Sequence, residues 1–128
     1  MSEILVDNLT GKTSAGSITV YGEGGTATTN LQQGVTKVWA STPADGASIT
    51  DSFNVASLTD VDTGKQQPNF TNDMNNSTFV INVTYDDNAI DYAPWGSART
   101  TSSYRTNAHT GFGYYDVAMF SSVQGDLA

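Results

Sequence analysis

Thr78-Phe79-Val80-Ile81-Asn82-Val83-Thr84-Tyr85 places Phe79, Ile81, Val83 and Tyr85 on one face of an extended chain, with Val80 the apolar residue of the other. A period of two sustained over eight residues marks a half-buried strand. β-branched and aromatic side chains suit such a pleated surface. Asp86-Asp87-Asn88 ends the run.

The same pattern recurs on either side, in shorter words. Upstream, residues 35–40 predict a strand with Val35, Lys37 and Trp39 on one side and Thr36, Val38 and Ala40 on the other. Pro43-Ala44-Asp45-Gly46 reads as a turn. Residues 49–55 alternate Ile49, Asp51, Phe53 and Val55 against polar neighbours. Leu58 and Val61 then lead into Asp62-Thr63-Gly64, a hairpin signal. The return strand, 66–70, contains Pro68, which has no N–H to donate, so an edge or bulged strand is expected. Downstream, 91–96 reads as an irregular aromatic loop carrying Tyr92, Pro94 and Trp95. Residues 99–106 alternate weakly, and Thr110-Gly111-Phe112-Gly113 is a turn. Residues 114–123 close the domain, with Tyr115, Val117, Met119 and Ser121 facing one way and Asp116, Ala118 and Phe120 the other. No helical period is sustained. The fold class is all-β, a small antiparallel β-sandwich of jelly-roll-like type, with a small barrel as the other arrangement that fits.

The chain has 128 residues, the size of one domain. Residues 1–34 hold too few large apolar side chains to fold alone. They read as an extended N-terminal arm, and 35–128 as the sandwich. Ile4, Val6, Leu9, Ile18 and Val20 are the arm's apolar positions for docking or intertwining. Extended backbone can also add to an exposed sheet edge.

Charged residues make up 14 % of the chain, against roughly 25 % in an average soluble protein. Ser, Thr, Asn and Gly take their place, giving a polar surface that dehydrates without stripping water from ions. The net charge is −8, and the only cations are Lys12, Lys37, Lys65, Arg99 and Arg105. No cluster of cations exists to displace counterions from phosphates, which argues against nucleic acid and against an anionic membrane surface. Without cysteine there is no disulfide scaffold, thiolate-bound zinc or thiol nucleophile. The first residues predict no export signal, and no run approaches a membrane span.

The words Leu31-Gln32-Gln33-Gly34-Val35-Thr36-Lys37-Val38-Trp39, Ser52-Phe53-Asn54-Val55-Ala56-Ser57-Leu58-Thr59-Asp60, Thr63-Gly64, Asn69-Phe70-Thr71, Met74, Tyr104-Arg105-Thr106, Val117-Ala118-Met119-Phe120 and Gly125-Asp126-Leu127-Ala128 occur in an order that resembles the β-domain of tailed-phage fibre proteins from marine phages. The stretch from Leu9 to Val20 is similar to an opening used by such proteins. The pattern departs at Gln66-Gln67-Pro68, where the family carries a regular strand. It departs again at Ser121-Ser122-Val123-Gln124, which separates the closing words. The resemblance implies a homotrimeric virion structural protein on the particle surface, without a fixed catalytic set or cofactor. It leaves open a tail-fibre position or a decoration role on the major capsid protein.

Three candidate sites follow. His109 is the only histidine, which rules out a histidine-based metal site and predicts a surface loop residue. Asp86, Asp87, Asn88 and Asp91 form an acidic turn. It offers oxygen ligands to calcium but lacks EF-hand spacing, and a solvated strand end is the simpler reading. Tyr92, Trp95, Tyr104, Phe112 and Tyr114 supply ring faces on which sugar C–H groups stack. The same rings would otherwise fill the core. Trp39 is expected in the core or in a subunit interface. The function expected is host-surface binding by a non-enzymatic trimer, through a glycan or protein, with no metal and no membrane insertion. A stand-alone carbohydrate-binding module is the remaining alternative.

Overall fold

A computed structural model describes residues 3–12, 18–22, 24–86 and 93–128, which divide into two compact units at Val35/Thr36. In the first unit, β1 (Thr19–Tyr21) pairs antiparallel with β2 (Thr28–Asn30), and one helical turn, α1 (Leu31–Gly34), follows. Gly24 and Gly25 take positive φ in the connection. The Asn30 side chain accepts from Gln33 N and caps the helical turn. The two extended segments read within residues 1–34 are thus paired with one another, at β1 and β2. A run of small polar residues interrupted by glycines is enough to close a hairpin.

The second unit is all-β and antiparallel. Its strands are β3 (Val38–Thr42), β4 (Asp51–Phe53), β5 (Val55–Asp62), β6 (Lys65–Phe70), β7 (Val80–Asp86), β8 (Ala93–Ser97), β9 (Arg105–Thr110), β10 (Gly113–Tyr114) and β11 (Ala118–Gln124). One sheet runs β4-β3-β11-β7. In the other, β5 pairs β6, β6 pairs β9, and β9 also pairs β8 and β10. Since β8 pairs β9 from Arg105 to His109, β6 and β10 share the opposite edge of β9. Each sheet slots a late strand between two early ones: β11 between β3 and β7, and β9 between β6 and β8. That nesting is jelly-roll-like.

β4 and β5 are one run of chain that changes sheets at Asn54, whose φ is +60°. Asn tolerates this left-handed geometry better than other side chains. Its carboxamide fixes the corner, donating to Lys37 O at 3.3 Å and Asn72 O at 3.1 Å and accepting from Asn72 N at 2.7 Å.

The core lies between the sheets. Val38, Phe70, Met74, Phe79, Tyr104 and Val123 form one cluster, and Ala108, Val117 and Met119 the other. Ile81 packs on the first cluster and Val83 and Tyr85 on the second, so the face read from 78–85 is the inward one. Phe70 meets Phe79 edge-on at 5.7 Å and lies tilted against Tyr104 at 5.6 Å. The Tyr104 hydroxyl shares a 2.6 Å hydrogen bond with Ser121 Oγ across the two sheets.

The strand containing Pro68 is interior, not an edge, and the register shifts fall on its partner β5, at Val55/Ser57 and Asp60/Asp62. Pro68 O accepts from Tyr104 N at 3.3 Å. The missing donor costs one rung at the point where β9 has not yet begun, and the bridge Asn69↔Ser103 resumes beyond it.

Candidate functional site

On β9, Tyr104, Thr106 and Ala108 turn inward, so Arg105, Asn107 and His109 face out. Register brings β8, β6 and β10 alongside them: Trp95 and Lys65 flank Asn107, Ser97 stands opposite Arg105, and Tyr114 opposite His109. The outer face of this sheet is consequently a cluster of rings beside polar groups. His109 meets Tyr114 edge-on at 4.9 Å, and Trp95 lies 6.3 Å from His109 and 5.9 Å from Tyr114. Lys65 Nζ sits 4.2 Å above the Tyr114 ring, a cation–π contact. Its other partner is Asp62, at 3.0 Å. The two contacts hold Lys65 in place, and its hydrogen bond is the main reason the Asp62 carboxyl titrates below the usual range.

Asn107 braces the cluster from beneath. Its Nδ2 donates to Trp95 O at 3.1 Å and Ser97 Oγ at 2.8 Å, which explains why a polar side chain on an outer face is buried. Trp95 and Tyr114 each keep 38 % of their surface in water. An aromatic pair that is braced yet open can accept the apolar face of a flat ligand, with Gln67 and Ser97 on the same outer face for its hydroxyls.

Of the rings read from sequence, Trp95 and Tyr114 come together here. Phe112 stands 93 % exposed at the tip of the β9–β10 turn. Tyr92 lies outside the described residues. Tyr104 is corrected: its ring is fully buried between the sheets and its hydroxyl is spent on Ser121, so it offers no face to a ligand. That burial pushes its pKa up to about 12. His109 is likewise not a loop residue, since it belongs to β9 and packs within the cluster. Lys65, Asn107 and His109 were missed as site residues. The available signal was the alternation Arg105, Asn107, His109, one turn before Tyr114.

The outer face of the other sheet is also aromatic. Trp39 and Phe53 are directly paired across β3 and β4, and Phe120 lies in the next row beside Ser41. Trp39 is 37 % exposed, so it lies outside the core. In the first unit, Ile4, Val6, Leu9 and Val20 are exposed, and Ile18 is half-buried with its carbonyl accepting from Leu31 N. Asp86 ends β7, while Asp87, Asn88 and Asp91 of the acidic turn lie outside the described residues. Among the described residues no group of three or more His, Asp or Glu side chains could hold a metal ion. No described helix is long and apolar enough to cross a membrane.

Comparison with family models, with curated proteins and with solved structures returns no match for this chain.

Proposed function

We propose that this chain is a non-enzymatic recognition domain of a bacteriophage fibre, and that the outer face of the sheet bearing β8, β9, β6 and β10 binds a host-surface glycan. The observation that carries the reading is the open Trp95–His109–Tyr114 cluster, braced by Asn107 and bordered by amide and hydroxyl groups. The order of sequence words resembling phage fibre domains supports the virion setting. The aromatic face of Trp39, Phe53 and Phe120 on the opposite sheet supports a homotrimer, because desolvating such side chains against sister subunits is favourable. Three copies would turn weak single-site contacts into avid attachment. The first unit would dock the trimer on tail or capsid proteins.

The test is a glycan-array and titration experiment on the full chain, with sedimentation of the same sample. Trp95→Ala should weaken binding at least 10-fold, about 1.4 kcal/mol, while Trp39→Ala leaves intrinsic site affinity unchanged and shifts the sample from trimer toward monomer. Retention of full binding by Trp95→Ala would refute the site. Particle reconstruction then separates a tail position from a capsid decoration.

A further inference from the structure

We infer that the glycan carries a carboxylate and that Arg105 is the group that reads it. The inference rests on the glycan reading above and narrows it to an acidic sugar.

The chain carries a net charge of −8, and its second unit has four cations, Lys37, Lys65, Arg99 and Arg105. Lys37 is buried at the start of β3, where desolvation lowers its pKa against the pull of Asp126. The other three belong to β6, β9 and the β8–β9 connection. Two of them, Lys65 and Arg105, stand on the sheet that holds the ring cluster; Lys65 is neutralised by Asp62, which leaves Arg105 as the group on that face complementary to an anion.

Within this set Arg105 alone has an unmet demand of a specific kind. Its Nε is shielded from water and has no hydrogen-bond partner. No carboxylate among the described residues lies within ion-pair distance of it, whereas Lys65 is already held by Asp62 and the Tyr114 ring. A guanidinium stays charged at any accessible pH and presents a planar fork that matches a carboxylate at two points. Swinging out to meet such a group would relieve the orphaned N–H, so the ligand gains where an unliganded surface cation would not.

The placement suits one sugar residue. Arg105 precedes Asn107 by two positions on the same face of β9, a spacing of roughly 7 Å along the strand. Asn107 is flanked by Trp95, and Arg105 by Ser97. The register that pairs Lys65 with Asn107 and Asn69 with Ser103 sets Gln67 across from Arg105 on the other side. A pyranose stacked on Trp95 would extend an exocyclic carboxylate toward the fork. A single spare Arg, with no second unpaired cation beside it on β9, suits one carboxylate per sugar better than a polyphosphate.

The experiment titrates the full chain by calorimetry with uronate hexamers (alginate, polygalacturonate and hyaluronate) and with the same hexamers after carboxyl reduction to neutral sugars. At least one uronate should bind, with its reduced form 10-fold weaker or more. Arg105→Gln should lose about that factor toward the uronate and nothing toward the reduced sugar. Arg105→Lys, which keeps charge without the fork, should fall between. Trp95→Ala should weaken both ligands. If wild type binds the reduced sugar as tightly as the uronate, or binds dextran sulfate equally well, the carboxylate assignment is overturned and the glycan reading stands. If Arg105→Gln stays folded by circular dichroism and binds the uronate within two-fold of wild type, Arg105 is not the reader. If wild type binds neither sugar form, both readings fall.

Discussion

Replacing Gly64 with alanine should cost far more than its position in a two-residue turn suggests. Gly64 has φ +64°, and a methyl group there would sit 2.7 Å from Ala108 O, Tyr115 N and Tyr115 O. All three are backbone atoms, so no side chain can swing aside. The left-handed geometry alone costs an L-residue about 1–2 kcal/mol. Overpacking against fixed atoms adds about 1–3 kcal/mol. Relief by backbone movement would sacrifice Ala108 N→Gly64 O at 2.9 Å and Gly64 N→Asp116 Oδ1 at 2.6 Å. The expected loss is about 2–5 kcal/mol, a large share of the about 5–15 kcal/mol that holds a domain together. Gly46 provides the control. Its φ is +62°, but a methyl group there meets only Asp60 side-chain atoms, at 3.3 Å and beyond. Gly46→Ala should lose about 1–2 kcal/mol, from backbone strain alone. Urea denaturation of both variants followed by fluorescence isolates the packing cost as their difference. If Gly64→Ala costs no more than Gly46→Ala, the β5–β6 turn does not rest on β9 and Tyr115 as described.

Tyr104 makes a pH prediction. Its hydroxyl is uncharged when protonated, and its folded pKa of about 12 exceeds the ordinary value of 10.0. The stability it contributes is complete below pH 10 and falls as pH rises from 10 to 12, by about 1.4 kcal/mol per unit. Tyr104→Phe should remove that part of the alkaline decline and cost about 1–2 kcal/mol at pH 7, because Ser121 loses its buried partner. Denaturation midpoints between pH 7 and 11.5 check both, and an unchanged alkaline slope would refute the assignment. Asn54→Ala forfeits the corner's side-chain hydrogen bonds and strains the backbone, for about 2–4 kcal/mol. Asn54→Gly, which forfeits only the bonds, should be about 1 kcal/mol more stable than Asn54→Ala by thermal melting. Gly96→Ala would put a methyl group 2.6 Å from Ile81 Cβ, where β8 rests on β7. It should cost about 1–3 kcal/mol and couple to Ile81→Ala in a double-mutant cycle, whereas strict additivity would show that the two strands do not touch.

Period-two alternation made the sheets legible because one face of each strand is committed to the core. Phe79, Ile81, Val83 and Tyr85 are inward, as are Val117, Met119 and Ser121. The hairpin at Thr63-Gly64 and the turn at Pro43–Gly46 were legible from turn chemistry. Residues 49–55 read as one strand because Asn54 carries no hydrophobic signal. Only tertiary packing shows that the chain changes sheets there. Pro68 misled for a related reason, since its lost donor is tolerated inside a sheet where the neighbouring strand has a gap. At the site, ring-bearing residues were legible as a set, but burial divides them. Tyr104 fills the core, while Trp95 and Tyr114 meet only through pairing across β8, β9 and β10. The contributions of Lys65, Asn107 and Arg105 depend on register, which a single strand's pattern does not contain.

The two tryptophans stand on opposite outer faces, Trp39 on the β4-β3-β11-β7 sheet and Trp95 on the sheet proposed to bind sugar. Their indole N–H resonances in the 15N-labelled chain report the two faces separately. Titration with the uronate hexamers should shift the Trp95 signal saturably and leave that of Trp39 in place. Movement of Trp39 alone, or of neither signal at millimolar sugar, would contradict the account.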